Sequence, residues 1–419
     1  MSQELSLRQS ALLPALGVVA AGVVAALHVG KLPPALPDLR EALNLTLVQA
    51  GFLLSLVQLA GMTLGLAVGL AADGLGLKRS MLTGLLILGV ASALGGWATD
   101  ATRLLLLRAV ESFGFLLVCL PGPSLIRQLV SAHRISTLLG IWSTYMPLGM
   151  ATALLVGPFV ISVGGWQIWW WVLAGVSLGM ALVLWRLVPA DKTRVKRLKP
   201  DPSHHLAPQA VAWKHRLRQT LGSRGPWLVA LTFTVYSGQW LAVVGFLPTV
   251  YAQAGLSGGV TAVLTALVAA INMVGNVAAG RLLDRGVQAR VLLIVGFCVM
   301  ALGTLAAFAT YPLTPQGTGL PAPIRFIAVL LFSMVGGLIP GTLFSLAVRL
   351  APTADTVSTT VGWAQQWSAL GQFAGPPLVA GLASRVGGWH WTWGVTGTCC
   401  LLGLLLAWQI GKTARLEAS

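Results

Sequence analysis

Apolar residues run through this chain in long stretches, and polar residues fall in the breaks between them. The breaks delimit segments at about 11–32, 46–71, 79–98, 102–127, 136–160, 166–188, 226–250, 259–283, 290–311, 324–350, 357–383 and 389–410. A hydrocarbon layer about 30 Å thick is crossed by about 20 helical residues. Backbone amides in lipid find no water, so each segment must bond within itself as a helix. The pattern predicts an all-α membrane protein of twelve transmembrane helices. The first run, Ala11 to Gly30, reads as a retained helix rather than a cleaved signal peptide.

Composition supports the same class. Hydrophobic residues make up 56% of the chain and charged residues 9%, with a mean hydropathy of +0.81. A water-soluble domain carries about 25% charged residues. The net charge of +16 on a soluble protein would suggest nucleic acid. Here the basic residues alternate between breaks. Arg8, Lys78, Arg79, Arg127, Arg134, Arg281, Arg285, Arg290, Arg349, Lys412 and Arg415 fall on the side of the termini, and only Lys31, Arg40, Arg103, Arg325 and Arg385 on the other. The positive-inside rule then places both termini in the cytoplasm of a bacterial cell, with the chain multi-pass in its cytoplasmic (inner) membrane and no nucleic-acid partner.

The strongest shift in composition is the basic, proline-containing stretch 189–225. It divides the chain into bundles at 1–188 and 226–419, joined by a linker that rests on anionic membrane lipids. His204 and His205 in it read as solvated. Cys119, Cys298, Cys399 and Cys400 sit within apolar runs without metal-ligand spacing, so no metal or cofactor is expected.

Two segments recur in both halves. GLAADGLGLKRS, Gly69 to Ser80, is echoed by GRLLDRGVQAR, Gly280 to Arg290. Each places Gly, three residues, Asp, a glycine turn and basic residues between two apolar runs. Gly157-Pro158 followed by Gly164-Gly165-Trp166 is echoed by Gly375-Pro376 followed by Gly387-Gly388-Trp389. Gly-Pro frees backbone bonds and permits a bend within a span, and Trp at a boundary anchors to the interface. A duplicated membrane chain with such repeats reads as a secondary transporter.

These residues resemble the major facilitator superfamily over essentially the whole chain. Gly69, Asp73, Gly76, Lys78 and Arg79 match that family's loop between helices two and three. Gly280, Asp284 and Arg285 match it in the second half, with Gly286 one place early. Arg108, after a run of leucines, resembles the family's membrane-embedded arginine motif, with Ser112 in place of the usual glycine and Gly114 kept. Gly157-Pro158 resembles part of the antiporter motif, with the following double glycine displaced. HVGKLPPALPDLR, RAVESFGFL and YMPLG look most like the cyanate and nitroimidazole permease-like branch. The resemblance implies two six-helix bundles around a central cavity and alternating access by rocking. It also makes Asp73 a latch on the positive end of a neighbouring helix, one that breaks during the cycle.

Polar groups at membrane depth need an explanation, because a charge there costs about 2.5–3.5 kcal/mol on insertion scales. Arg108 and Glu111 share a helix face three residues apart. They form a local ion pair, or Arg108 meets an anionic substrate while Glu111 handles a proton. His28 is a titrating group or a cavity-wall hydrogen bonder. Lys31 snorkels to the interface or attracts anions. Tyr145, Tyr236, Gln239, Asn272, Asn276, Gln365 and Gln366 are neutral candidates for the cavity or for interhelical hydrogen bonds. No nucleotide-binding loop, zinc spacing or serine-nucleophile motif is present, so an enzyme and an ATP-driven pump are disfavoured. The sequence therefore reads as a monomeric transporter of a small organic solute, anionic by the arginine, with protons as a possible second partner. Export of neutral or anionic compounds and a non-transporting receptor stay open.

Overall fold

The structure, a computed structural model, describes residues 2–191, 213–314, 316–353 and 356–416. Side chains are described throughout these except at 2–11, 68–75, 132, 133, 135–137, 213 and 413–416. His204 and His205 lie outside the described residues.

The described residues are almost entirely helical, and 10 helical segments are long and apolar enough to cross a membrane. One of them, Leu138–Leu187, is 50 residues long. It is interrupted at Gly164 and at Gly165, whose φ of +77° is open to glycine without strain. The helix Val357–Val386 is as long as a span but falls outside those ten. Its Gln365, Gln366, Gln372 and Arg385 dilute the apolar run.

Most predicted segments are found within a few residues, but several are broken. The second is split into Leu47–Ser55 and Leu59–Leu75 by a 3₁₀ turn at Leu56–Gln58. The fourth divides into Ala101–Cys119 and Pro121–Leu129, and the tenth into Ala322–Gly336 and Leu338–Arg349. Three elements were not expected. A helix, Trp213–Gly222, lies in the basic central stretch, and a small hairpin pairs Thr310–Tyr311 with Thr318–Gly319.

The third is the helix Leu32–Ala42, which follows the first helix, Ser2–Gly30, after a turn at Lys31. It lies in the break between the first two predicted spans. Prolines at the first helical positions remove only N–H groups that would have no partner anyway. Leu32, Leu36 and Leu39 then form a buried stripe at helical spacing.

The two halves of the chain meet along Leu47–Leu75 and Val357–Val386. Gly51 lies against Pro377, where a Cβ would come within 2.9 Å of backbone. Phe52 faces Phe373 at 6.2 Å between ring centroids. Gln58 Nε2 donates to Gln372 Oε1 at 2.9 Å. Gln366 Nε2 donates to Met62 O, and its Oε1 accepts from Leu66 N, both at 2.9 Å. At one end of this seam, Leu36 and Leu39 join Phe246 and Ala380 of the other half in one buried apolar cluster. Within the second half, Arg224–Gln253 packs against Val357–Val386 at glycines: a Cβ on Gly238 would lie 2.6 Å from Gly371 O. Small residues allow this approach, which is how helices gain contact in lipid.

Candidate functional site

Two helix interruptions create the first polar site. The first helix breaks at Lys31 and the second at Leu56–Gln58, so carbonyls just before each break lose their i+4 partners. Arg108 takes both: Nη1 donates to His28 O at 2.6 Å and Nε to Leu53 O at 3.1 Å. Nη1 also donates to Glu111 Oε2 at 2.6 Å. The other oxygen of Glu111 receives the Lys31 ammonium. Lys31 also donates to Ser92 Oγ at 3.1 Å and stands 4.6 Å over the Trp170 ring. His28 closes the cluster, with Nε2 2.7 Å from Ser177 Oγ and Nδ1 3.7 Å from Glu111 Oε1.

All four charged or titratable groups are buried: His28 and Lys31 at 0% exposure, Arg108 and Glu111 at 2%. The snorkelling expected of Lys31 is overturned, because its ammonium is drawn inward by Glu111, Ser92 Oγ and the Trp170 ring, while Trp169 Nε1 donates to its carbonyl at 3.2 Å. The local Arg108–Glu111 pair is present and is part of a larger centre. Two cations face one carboxylate, so with His28 neutral one positive charge is in excess. Arg108 Nη2 and His28 Nδ1 are buried without a hydrogen-bond partner. Ser112, in the glycine's place, fills a further gap at the 3₁₀ turn by accepting from Ala60 N at 3.3 Å.

The second polar site lies in the other half and carries no charge. Asn272 Nδ2 donates to Tyr236 Oη at 3.1 Å and to Ser333 O at 2.7 Å. Asn276 Nδ2 donates to Asn272 Oδ1 at 2.9 Å. Trp240 Nε1 donates to Ser333 Oγ at 3.1 Å. Gln239 stands apart, donating to Val235 O at 2.9 Å and accepting from Cys400 Sγ at 3.3 Å.

The remaining predicted residues scatter. Tyr145 packs on Trp142 with centroids 4.8 Å apart. Gln366 belongs to the seam between halves. Gln365 is half-buried with no hydrogen bond to another described residue. Trp166 is buried at 4% exposure against Trp170 and does not face the interface as expected.

The repeated loop motif behaves differently in its two copies. Gly69 and Asp73 fall where side chains lie outside the described residues. The turn glycine Gly76 has φ +81°. After it, Lys78 N and Arg79 N donate to the Asp191 carboxylate at 3.0 and 3.3 Å. Lys78 Nζ donates to Trp185 O at 2.7 Å and Val188 O at 2.5 Å. Asp191 thus caps the start of Leu77–Gly95, while Lys78 caps the end of Tyr145–Leu187. In the second copy, Gly280, Asp284 and Arg285 are exposed. Neither Asp284 nor Arg285 forms an ion pair with another described residue. No group of His, Cys, Asp and Glu among the described residues could hold a metal.

Comparison with known proteins agrees with this architecture. A family model described as Major Facilitator Superfamily matches residues 18–376. The inner membrane metabolite transport protein YgcS of Escherichia coli K12 is 25% identical over 391 residues, 89% of this chain and 83% of that protein. A bacterial homologue of the human lysosomal transporter Spinster, inward-facing and occupied, superposes with a TM-score of 0.73 at 15% identity, over 98% of this chain and 97% of that one. The partially occluded inward-open xylose transporter XylE of E. coli gives 0.73 at 17% identity, over 95% and 99%. The D-xylose–proton symporter gives 0.70 at 18% identity, over 96% and 97%.

Proposed function

The chain belongs to the major facilitator superfamily, and we propose that it is a secondary active transporter that moves a small organic anion by alternating access, coupled to protons. Its place is the bacterial cytoplasmic membrane, with twelve spans, both termini cytoplasmic, bundles at 1–188 and 226–419, and a monomer as the working unit. The names of YgcS, an inner membrane metabolite transport protein, and of the D-xylose–proton symporter support the class and the coupling.

The observation that carries the anionic substrate is the uncompensated charge at Lys31 and Arg108. A buried cation without a counter-ion is costly, and a guest carboxylate relieves that cost. Arg108 keeps one terminal nitrogen without an acceptor, and a guanidinium pairs readily with a second carboxylate. His28 Nδ1, beside Glu111 and otherwise unpartnered, is the place for a proton that accompanies the anion. Lys31 begins the helix Leu32–Ala42, whose leucines pack against Phe246 of the other half. A change in the ties of Lys31 is therefore felt where the halves meet.

The test is uptake of small organic anions into liposomes, with and without an inward proton gradient. Gradient-driven accumulation is expected for the wild type and loss of it for Lys31→Met, in which one cation balances one carboxylate. Equal accumulation in both, or no flux of any anion, overturns the reading.

A further inference from the structure

A cavity of about 350 Å³ lies between the two halves, beside the helix Leu32–Ala42. Its walls are mainly apolar and rich in proline, with Pro34 and Pro158 from the first half and Pro248 from the second. Two polar residues that line it have side chains without a hydrogen-bond partner among the described residues. Asp38 lines the cavity, is exposed, and has no hydrogen-bond or ion-pair partner among the described residues. The neighbouring Glu41 reinforces its negative field. Thr261, from the other half, is 7% exposed, and its hydroxyl is buried without a partner.

A mainly apolar pocket of this size with one carboxylate in its wall has the form of a small-molecule site. Its charge is opposite to that of the centre at Lys31 and Arg108, so it is not a second copy of the anion site. We propose that this cavity binds a small amphipathic amine. The apolar body lies among the prolines, and the ammonium donates to the Asp38 carboxylate. Such a ligand touches both halves and binds best when these walls meet. By its differential affinity it favours the state closed at this end and slows the cycle. The proposal rests on family membership and does not depend on the anionic substrate.

The test uses the full chain in lipid nanodiscs and follows ¹⁹F resonances of 2-(4-fluorophenyl)ethylammonium and of the neutral 2-(4-fluorophenyl)ethanol. The amine is expected to bind saturably and at least about tenfold more tightly than the alcohol, a difference of about 1.4 kcal/mol. Asp38→Asn should bring the amine to the level of the alcohol. Asp38→Glu should retain affinity within about threefold, which separates loss of charge from loss of fold. Equal binding of the two probes, no saturable binding of the amine, or an unchanged amine affinity in Asp38→Asn overturns the proposal.

Discussion

Both halves bury clusters of polar groups but settle them differently. The centre in the first half holds Lys31, Arg108 and Glu111 with His28, and two of its nitrogens stay without partners. The network in the second half, Tyr236, Asn272, Asn276, Ser333 and Trp240, is neutral, and Asn272 makes both of its donor bonds. A satisfied neutral network holds helices together at fixed register. A charged centre with a net charge and spare donors changes its energy when an ion or proton arrives. On the function proposed above, the response to cargo falls to the first half and a supporting role to the second.

The largest expected effect comes from Glu111→Gln. It leaves Lys31 and Arg108 buried against each other without a counter-ion, and thermal unfolding in detergent should report a loss of about 3–5 kcal/mol. Adding Lys31→Met removes one of the two cations and should recover part of that loss, Arg108 alone staying without a counter-ion. Such strong non-additivity is the mark of groups in direct contact. If the two changes simply add, the centre is not one electrostatic unit.

Asn272→Leu is the matching change in the second half. It strands Tyr236 Oη, while Ser333 O keeps its bond from Gly337 N, and it should cost about 1–3 kcal/mol in the same unfolding assay. Under the assignment above, it should leave the dependence of uptake on the proton gradient unaltered. A mutant that stays folded but loses coupling would move the response to cargo into the second half.

Smaller again is Asp191→Asn, which weakens the cap on Leu77–Gly95 by about 0.5–2 kcal/mol. Its effect should appear in turnover more than in substrate affinity, because the Lys78–Asp191 contacts lie at a loop linking helices and away from the charged centre. A collapsed affinity with normal turnover would contradict that. Gln365→Ala closes the series. Gln365 has no hydrogen bond to another described residue, so a change within about 0.5 kcal/mol is expected. A large loss of uptake there would mark it as a substrate contact.

Parts of both centres can be read along the chain. Arg108 and Glu111 sit three apart on one helix, as do His28 and Lys31, and Asn272 and Asn276 sit four apart. Helical spacing alone puts each pair on one face. What it omits is the assembly of pairs. Lys31 looks like a terminal lysine free to reach water, because it stands at the end of the first apolar run. Its ammonium is instead drawn inward by Glu111 and Ser92. Ser92, Trp170 and Ser177 carry no local signal, since a serine or a tryptophan in an apolar run is ordinary. The latch was expected at Asp73. The carboxylate that caps Leu77–Gly95 among the described side chains is Asp191, which follows a helix more than a hundred residues on.

The sequence by itself determined the solvent, the helical class and the duplicated plan. Those follow from the length and apolarity of the runs and from backbone hydrogen bonding in lipid, which are local properties. The breaks at Gly164-Gly165 and Gly387 were also written in the chain, because a positive φ suits glycine. Only the tertiary structure decided that Lys31 is buried, that one carboxylate serves two cations, and that the charged centre sits in one half while its counterpart is neutral. Those depend on which distant helices supply the second and third partners. Partner choice is an energy of desolvation and contact that no stretch of sequence carries alone.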